Sequence, residues 1–304
     1  MTDPGPPKIS VIMNCFNGET YLREAVESAL AQSYRELEII FWDNQSTDRS
    51  AEIVRSYSDS RIRYFYADRH TTLGEGRNLA VAQASGEWIG FLDCDDIWLP
   101  NKLSEQVALI QSDPSNKPGI VYGRSYRMQA NLPDSDVLAP LLPGRLPEGK
   151  IFEQLLTIGD FIPLVSALVL RAAYHAVGGV PDRFQAAEDY YLFVAIAERY
   201  ETRAQENFCS KVRIHGNNLT HRSKRIIYLE TIEMLNQWKD QIPARTYRAR
   251  MRELHTQIGF DTMVFGKRYL EGLKYIVAQG SPSVALAKAA GKLRRKLIAV
   301  ARAF

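Results

Sequence analysis

The stretch that organises this chain reads Trp88-Ile89-Gly90-Phe91-Leu92-Asp93-Cys94-Asp95-Asp96, a short apolar run followed at once by three carboxylates. A continuous apolar run of this length is typical of a strand that is covered on both faces of a sheet. Crowded carboxylates repel one another unless a cation shares them, and oxygen ligands suit Mg²⁺ or Mn²⁺ that also bridges diphosphate oxygens. The stretch therefore predicts a buried strand that ends in a metal site; the alternative is a polar turn that caps the next helix.

Three earlier apolar runs, at residues 9–13, 37–42 and 62–66, have the same character. Apolar residues at helical spacing separate them, at 22–30 and 79–84, and Thr47 and Asp48 form a candidate cap before another helix. A chain that alternates strand and helix in this way forms right-handed crossovers. The fold class is therefore predicted to be α/β, with a mostly parallel central sheet flanked by helices.

The second half of the chain is less regular. The patterns predict helices at 100–111 and 188–200, strands at 119–122, 164–170 and 211–214, and a long loop over 130–149. From about residue 226 the pattern becomes helical. We therefore predict one nucleotide-binding domain over residues 1–222 and a helical C-terminal extension over 223–304.

Composition excludes several classes of protein. With 45% hydrophobic residues among 304, the chain can bury a large core, and a net charge of +3 does not predict nucleic-acid binding. Three scattered cysteines provide neither a disulfide framework nor a zinc motif. The longest apolar run, 161–170, is too short to cross a bilayer, which needs about twenty residues. A cytoplasmic protein is expected.

Ligands of open α/β sheets bind beyond the carboxyl ends of the strands, so the residues after the first two strands are candidates for a binding site. The turn at 14–17 offers the ring of Phe16 to a nucleobase, with the amides of Asn14 and Asn17 beside it. Asp43 follows the second strand and could accept the imide N–H of a uracil. Core packing of Phe16 and an Asx turn at Asp43 are the alternatives.

The segment Gly74-Glu75-Gly76-Arg77-Asn78 combines glycines, which permit close backbone approach, with a cation that suits phosphate. It lacks the length and spacing of a dinucleotide-binding or P-loop fingerprint. A dehydrogenase and a nucleoside triphosphatase are therefore disfavoured.

These pieces in this order resemble the family 2 inverting glycosyltransferases with the GT-A fold. The resemblance covers roughly residues 8–220 and rests on six elements, which are Phe16-Asn17, Gln32-Ser33-Tyr34, Asp43 to Asp48, Gly74 to Asn78, Leu92 to Asp96 with Trp98, and Glu188-Asp189. Two positions depart from the family pattern. Asn44-Gln45 stands where Asp-Gly is usual, and Asn14 stands where a small residue such as Thr is usual.

The resemblance implies a role for each matching residue. On the donor side, Phe16 would stack on the base, Asp43 would hold its imide edge, Arg77 would lie near the base or phosphates, and Asp93 would contact ribose. Because Asn44-Gln45 departs from the pattern, the identity of the base is left open between uridine and other nucleotides.

On the metal side, Asp95 would ligate Mn²⁺ or Mg²⁺ with Asp96 in or near that shell, and His215 would lie near the metal or the diphosphate. Asp189 would be the catalytic base, with Glu188 as the alternative, because inverting transfer needs a carboxylate to take the proton of the acceptor hydroxyl. Without the metal motif, acids at 188–189 would only complement a helix dipole, and His215 would be structural.

The expected function is metal-dependent transfer of a sugar from a nucleoside diphosphate sugar, with a UDP-sugar favoured, to a saccharide or lipid-linked saccharide in surface polysaccharide or glycolipid synthesis. The alternatives are a sugar nucleotidyltransferase and a catalytically silent sugar-nucleotide-binding module. The last residues, 284–304, carry cations interleaved with apolar residues. This pattern favours peripheral contact with the inner face of the cell membrane, or else packing on the domain.

Overall fold

The computed structural model of the chain describes residues 6–129, 136–137, 144–215, 224–264, 266–283 and 285. These residues form two compact units, one within residues 1–218 and the other within 219–304. The first unit contains the sheet, and the second is helical. The predicted α/β class with a helical C-terminal part is therefore confirmed, while the domain boundary at 222 lies outside the described residues and stays a prediction.

In chain order the strands of the first unit are β1 (Ile9–Cys15), β2 (Leu37–Asp43), β3 (Ile62–Tyr66), β4 (Trp88–Phe91), β5 (Ile97–Trp98), β6 (Ile120–Gln129), β7 (Asp136–Val137), β8 (Leu168–Leu170) and β9 (Thr202–Ile214). They form a central sheet in the order β3-β2-β1-β4-β8-β6-β9-β5, with β7 paired to β6. Neighbours among β1 to β4 are parallel, as are β6 and β9. The strands β8 and β5 join the sheet antiparallel.

The helices of the first unit are α1 (Leu22–Leu30), α2 (Ser50–Arg55), α3 (Leu73–Ala82), α4 (Lys102–Gln111), α5 (Phe152–Ile158), α6 (Arg171–Ala176) and α7 (Glu188–Ala197). The second unit contains α8 (Lys224–Gln237), α9 (Ala244–Val264) and α10 (Tyr269–Gln279). On α1 the residues at helical spacing, among them Leu22 and Val26, are buried. This amphipathic pattern is the reason the segment folds as a helix that covers the sheet.

The pairing register aligns the carboxyl ends of β1, β2 and β3. Cys15 at the end of β1 pairs with Asp43 at the end of β2, which pairs with Tyr66 at the end of β3. On the other side of β1, Ile12 pairs with Phe91, the last residue of β4. The turns that follow β1, β2 and β4 therefore open at the same edge of the sheet, as parallel pairing requires.

Several elements differ from the sequence-based expectation. The strand β9 covers thirteen residues rather than 211–214, and residues 164–166 form a 3-10 turn before β8 instead of a continuous strand. Helix α3 begins at Leu73 rather than near residue 79, so the glycine-rich segment lies in its first turns. The short elements β5, α5 and α6 were not predicted.

Within the described residues, no helix is both long and apolar enough to span a bilayer. Of the segment 284–304, for which membrane contact was expected, the structure describes only residue 285. Most of the expected loop at 130–149 also lies outside the described residues.

Gly90 in β4 provides a test of core packing beneath the site. A β-carbon at Gly90 would lie 2.8 Å from Trp98 Cη2 and 2.9 Å from Leu168 Cδ2. We expect Gly90→Ala to destabilise the protein by about 1–3 kcal/mol because an overpacked core must shift its neighbours. Thermal unfolding of the full chain should show a lower Tm, with exposed Ser58→Ala as the control. An unchanged Tm for Gly90→Ala would contradict this packing.

Candidate active site

The acidic turn after β4 faces the end of β9. Oδ2 of Asp95 lies 2.8 Å from Nε2 of His215, one residue beyond β9. Desolvation, together with the like charge of Asp93, raises the pKa of Asp95. A carboxylate held in this way favours a nearby positive charge. The structure therefore brings together two of the three predicted metal ligands.

The third predicted ligand, Asp96, is differently placed. It is buried, and its Oδ1 accepts a hydrogen bond from the backbone N–H of Arg213 at 2.8 Å. Burial and the charges of Asp93 and Asp95 raise the pKa of Asp96 well above its usual value. One oxygen of Asp96 therefore fixes the turn to β9, and its role as a metal ligand stays a prediction.

Arg213 is a site residue that was not singled out from the sequence. Its Nε donates to the backbone oxygen of Asp95 at 2.9 Å, and its Nη2 lies 2.8 Å from Oε2 of Glu24 on α1. Its guanidinium also lies 4.2 Å from the ring centroid of Tyr21. Arg213 therefore joins the acidic turn to both β9 and α1. Its place two residues before His215 at a strand end was the available signal.

A buried ion-pair bridge lies on the other side of the turn. Arg77 is 4% exposed, and its Nη2 lies 3.2 Å from Oδ1 of Asp93. Its Nη1 forms an ion pair with Oε1 of Glu188 at the start of α7. Burial alone would disfavour the charged guanidinium, but Glu188, Asp93 and Asp189 more than offset this and raise the pKa of Arg77. The bridge brings together three predicted site residues from distant parts of the sequence.

Two glycines let α3 take this position. A β-carbon on Gly76 would lie 2.9 Å from Nδ2 of Asn14 and 3.1 Å from the hydroxyl of Thr71. A β-carbon on Gly74 would lie 3.3 Å from the backbone oxygen of Pro181. The glycines therefore permit α3 to pack closely against β1 and against the segment before α7. In this structure the close approach is to protein, whereas the sequence suggested an approach to phosphate.

The two acids that open α7 have different surroundings. Glu188 is 2% exposed, and its Oε2 has no hydrogen-bond partner among the described residues. Burial raises the pKa of Glu188 to about 7, although Arg77 acts in the opposite direction. Asp189 is half-buried and accepts the backbone N–H of Tyr190 at 2.7 Å. Desolvation raises the pKa of Asp189 too, again opposed by Arg77.

Asp160 is a further carboxylate that sequence reasoning missed. It follows α5, which is tied to α7 by a 2.6 Å hydrogen bond from the hydroxyl of Tyr190 to the backbone oxygen of Leu155. The side chain of Asp160 is exposed between buried neighbours. Desolvation by the surrounding protein and the charges of Asp189 and Glu188 raise the pKa of Asp160 well above its usual value. No motif marks this residue, because its position depends on how α5 packs on α7.

Hydrogen bonds join the turn after β1 to the turn after β2. Asn17 has a positive φ of 55°, and its Oδ1 accepts the backbone N–H of Thr47 at 2.8 Å. Asp43 is fully buried, and its oxygens accept hydrogen bonds from Ser46 N at 2.7 Å and from the Tyr64 hydroxyl at 2.6 Å. Both oxygens of Asp43 are thus already engaged within the protein, and contact with a base stays a prediction for Asp43 as for Asn17.

Phe16 points away from the core. Its side chain is 53% exposed, and its ring lies 4.4 Å from that of His70 in an edge-to-face arrangement. Tyr66, at the end of β3, is 54% exposed. The alternative reading of Phe16 as a core residue therefore does not hold. Its neighbour Asn14 is half-buried, and its Oδ1 lacks a hydrogen-bond partner within the described part of the chain.

Comparisons with known proteins identify the family and the fold. The family model "Glycosyl transferase family 2" matches residues 10–162. An Escherichia coli enzyme, UDP-Glc:alpha-D-GlcNAc-diphosphoundecaprenol beta-1,3-glucosyltransferase WfgD, is 28% identical over 214 residues, which are 70% of this chain and 79% of that protein. Uncharacterized glycosyltransferases of Rickettsia species also match, and this chain spans only about a third of their length, 34% to 36%.

Two solved structures share the fold. The S. aureus protein TarS, residues 1–349, superposes with a TM-score of 0.65 at 18% identity, covering 88% of this chain and 81% of that one. The mannosyltransferase PcManGT from Pyrobaculum calidifontis, in complex with GDP-Man and Mn²⁺, gives 0.61 at 17% identity, covering 95% and 81%. At these identities the structures show the GT-A fold alone. The family match, which covers half of the sequence, shows that this chain belongs to glycosyltransferase family 2.

Proposed function

We propose that this chain transfers a sugar, with inversion, from a nucleoside diphosphate sugar to an acceptor hydroxyl in a metal-dependent reaction. The observation that carries the proposal is the Arg77 bridge, which joins Asp93 after β4 to Glu188 at the start of α7. This bridge supports a single site in which the predicted donor contact, Asp93, and the acidic pair lie near each other. Displacement with inversion needs a base near the donor, on the face of the sugar opposite the leaving group, and the acidic pair is the candidate for that base.

The donor set at Asp95 fits a hard divalent cation. Across the described parts of the first unit and the helices of the second, no three His, Cys, Asp or Glu side chains converge as a metal site. Mg²⁺ and Mn²⁺ are often held by one or two carboxylates, with water and substrate phosphates completing the shell. Asp95, with His215 beside it, suits that mode. When bound there, such a cation neutralises charge on the departing diphosphate.

Asp189 is the catalytic base in this proposal. Glu188 is almost fully buried and committed to Arg77, whereas Asp189 is half-buried. A base must reach the proton of the acceptor hydroxyl, so accessibility favours Asp189. Asp189 would take that proton while Glu188 holds the start of the helix in place.

A UDP-sugar is the donor we favour. WfgD is named for a UDP-Glc donor, and a TarS structure holds UDP-GlcNAc. PcManGT holds GDP-Man, so relatives of the same fold use more than one base. The acceptor named for WfgD is a saccharide linked to diphosphoundecaprenol, which supports a lipid-linked acceptor for this chain. A role in surface polysaccharide or glycolipid synthesis at the cytoplasmic face of the membrane, with residues 284–304 touching the lipid, belongs to the same proposal.

Phe16 provides a direct test of the donor site. We expect Phe16→Ala to weaken UDP binding because stacking of a base on an aromatic ring contributes about 1–3 kcal/mol, or roughly five- to 150-fold in affinity. Isothermal titration with UDP and Mn²⁺ would measure the loss. Leu229→Ala, which removes an exposed apolar side chain of the second unit, is the control. Equal UDP affinity of Phe16→Ala and wild type would remove Phe16 from the base site.

The function itself is tested by a panel of nucleoside diphosphate sugars, with and without Mn²⁺. We expect one donor to raise the Tm only with the metal and to release its nucleoside diphosphate when an acceptor is present. Proton NMR of the product should show the opposite anomeric configuration to the donor. Pyrophosphate release from a nucleoside triphosphate and a sugar phosphate would instead identify a nucleotidyltransferase. Donor binding without turnover for every acceptor class would favour a silent binding module.

A further inference from the structure

Helix α3, which carries Arg77, is held by contacts of the residues before and after Arg77 in the chain. The next residue, Asn78, donates from Nδ2 to the backbone oxygen of Val180 at 2.8 Å and accepts the hydroxyl of Tyr174 at 2.6 Å. Gly74, one turn earlier, packs against Pro181. Helix α3 is therefore tied to the segment that leads into α7. The side chain of Arg77 is held between the acids rather than placed on an open surface.

The contacts of Arg77 do not suit a residue that binds phosphate directly. A phosphate-binding arginine presents its guanidinium fork to the ligand. The Arg77 side chain is 5% exposed, and its two terminal nitrogens contact Asp93 and Glu188. The side chain of Asp93, by contrast, is 40% exposed, so the Asp93 end of the bridge is accessible to solvent.

We propose that Arg77 is a positioning residue, which joins Glu188 to Asp93 and thereby fixes the start of α7 relative to the donor side of the site. This inference rests on the proposed function, in which Asp93 faces the donor and Asp189 is the base. Because Asp189 follows Glu188 in the first turn of α7, anchoring Glu188 also fixes the backbone of Asp189. Arg77 thus acts on the reaction through Glu188.

The same bridge controls the charge of the acidic pair. The charged groups near Glu188 and Asp189 include Arg77 from α3, Asp93 after β4 and Asp160 after α5. Arg77 is the cation among these groups, and it lowers the pKa of both acids of the pair. Its removal leaves like charges together, which favours the protonated forms. A role limited to packing would leave this balance unchanged.

The test compares Arg77→Gln, Arg77→Lys and the matched control Arg49→Gln, which breaks an exposed pair with Glu52. For Arg77→Gln we expect kcat to fall by about tenfold or more, the donor KM to stay within about twofold, and the acid limb of the kcat profile to move to higher pH. Arg77→Lys keeps the positive charge, so the acid limb should stay at its wild-type pH. We expect a reduced kcat, because a single ammonium group cannot contact Asp93 and Glu188 with two separate nitrogens as the guanidinium does.

A second readout does not depend on turnover. Carbon-13 NMR of labelled Glu and Asp carboxyls in the substrate-free protein, with Glu188→Gln as the assignment variant, follows the titration of the pair. We expect the Glu188 carboxyl, whose pKa is raised by burial and opposed by Arg77, to titrate at higher pH in Arg77→Gln than in wild type. If Arg77→Gln does not fold, Arg77→Lys still supplies the test through its lowered kcat and retained titration.

Three outcomes overturn the inference. A raised donor KM with unchanged kcat and acid limb would identify Arg77 as a donor-binding residue. Wild-type kinetics in both Arg77 variants would remove it from the site. An unshifted Glu188 titration in folded Arg77→Gln would show that the bridge does not set the charge of the pair. If wild type transfers no sugar from any donor, the proposed function fails, whereas the titration still tests the bridge.

Discussion

Replacing Asp189 by asparagine is expected to lower kcat by about 10²–10⁴-fold while donor affinity stays close to that of wild type. The two side chains have nearly the same shape, and the Asn oxygen can still accept the N–H of Tyr190 that Asp189 Oδ1 accepts. The amide cannot take a proton from the acceptor hydroxyl. The loss should therefore appear in the chemical step and not in binding.

The measurement pairs steady-state release of nucleoside diphosphate with calorimetry of donor binding. Asp240→Asn, an exposed substitution in the second unit, is the matched control. Turnover of Asp189→Asn near the wild-type value would exclude Asp189 as the base. A collapse in Glu188→Gln together with normal Asp189→Asn would assign the base to Glu188 instead.

The pH profile gives the same assignment an independent check. A general base acts only when ionised, so activity is lost as the pH falls through its pKa. Desolvation raises the pKa of Asp189, and therefore the acid limb of wild type should lie above the range of an ordinary aspartate. The slow residual reaction of Asp189→Asn should lack this limb. An identical limb in both proteins would mean that another group produces it.

Most of the parallel half of the sheet was predictable because its strands are covered on both faces, but β3, which was predicted as another buried strand, is half-buried or exposed at every position because it lies at the edge of the sheet. β2 and β4 are buried throughout and β1 is buried at every position except Asn14, so each reads as a nearly continuous apolar run. β9 was mostly missed because its burial alternates irregularly with exposed positions such as Glu206 and Asn207. The start of α3 was missed because Gly74 and Gly76 weaken a helical pattern, and only tertiary packing explains them.

The candidate site was predictable where topology alone decides position. Residues after parallel strands must meet at one sheet edge, which is why Phe16, Asp93 and Asp95 could be named from the sequence. The residues that contact these side chains and hold them in place could not be named in this way. The Arg77–Glu188 pair spans 111 residues, and Asp160 reaches Asp189 only through the packing of α5 on α7.

Asp43 illustrates a subtler limit. Its position after β2 was predicted, but its buried contacts with Ser46 and Tyr64 depend on the neighbouring strand β3. An aspartate at a strand end can face a ligand or fold back into an Asx turn, and the local sequence is the same in both cases. Only the three-dimensional neighbours distinguish the two.

Replacing Asp95 by alanine is expected to abolish the part of donor affinity that depends on metal. Loss even of a residue that supports a metal ligand typically costs about 10–100-fold in affinity, so loss of a ligand should cost at least as much. Calorimetry with UDP in the presence and absence of Mn²⁺ measures the metal-dependent part directly. In Asp95→Ala the two affinities should converge, with the apo Tm near that of wild type.

Asp96→Asn distinguishes a role of Asp96 as a metal ligand from a role in holding the acidic turn against β9. The asparagine oxygen can still accept the backbone N–H of Arg213, as Asp96 Oδ1 does at 2.8 Å, so the turn should keep its shape. If Asp96 acts only through that contact, Asp96→Asn should retain most metal-dependent affinity while Asp95→Ala loses it. An equal loss in both variants would place Asp96 in the metal shell. Undiminished Mn²⁺ and UDP affinity in Asp95→Ala would refute the assignment of Asp95, whose Oδ2 lies 2.8 Å from Nε2 of His215, as a metal ligand.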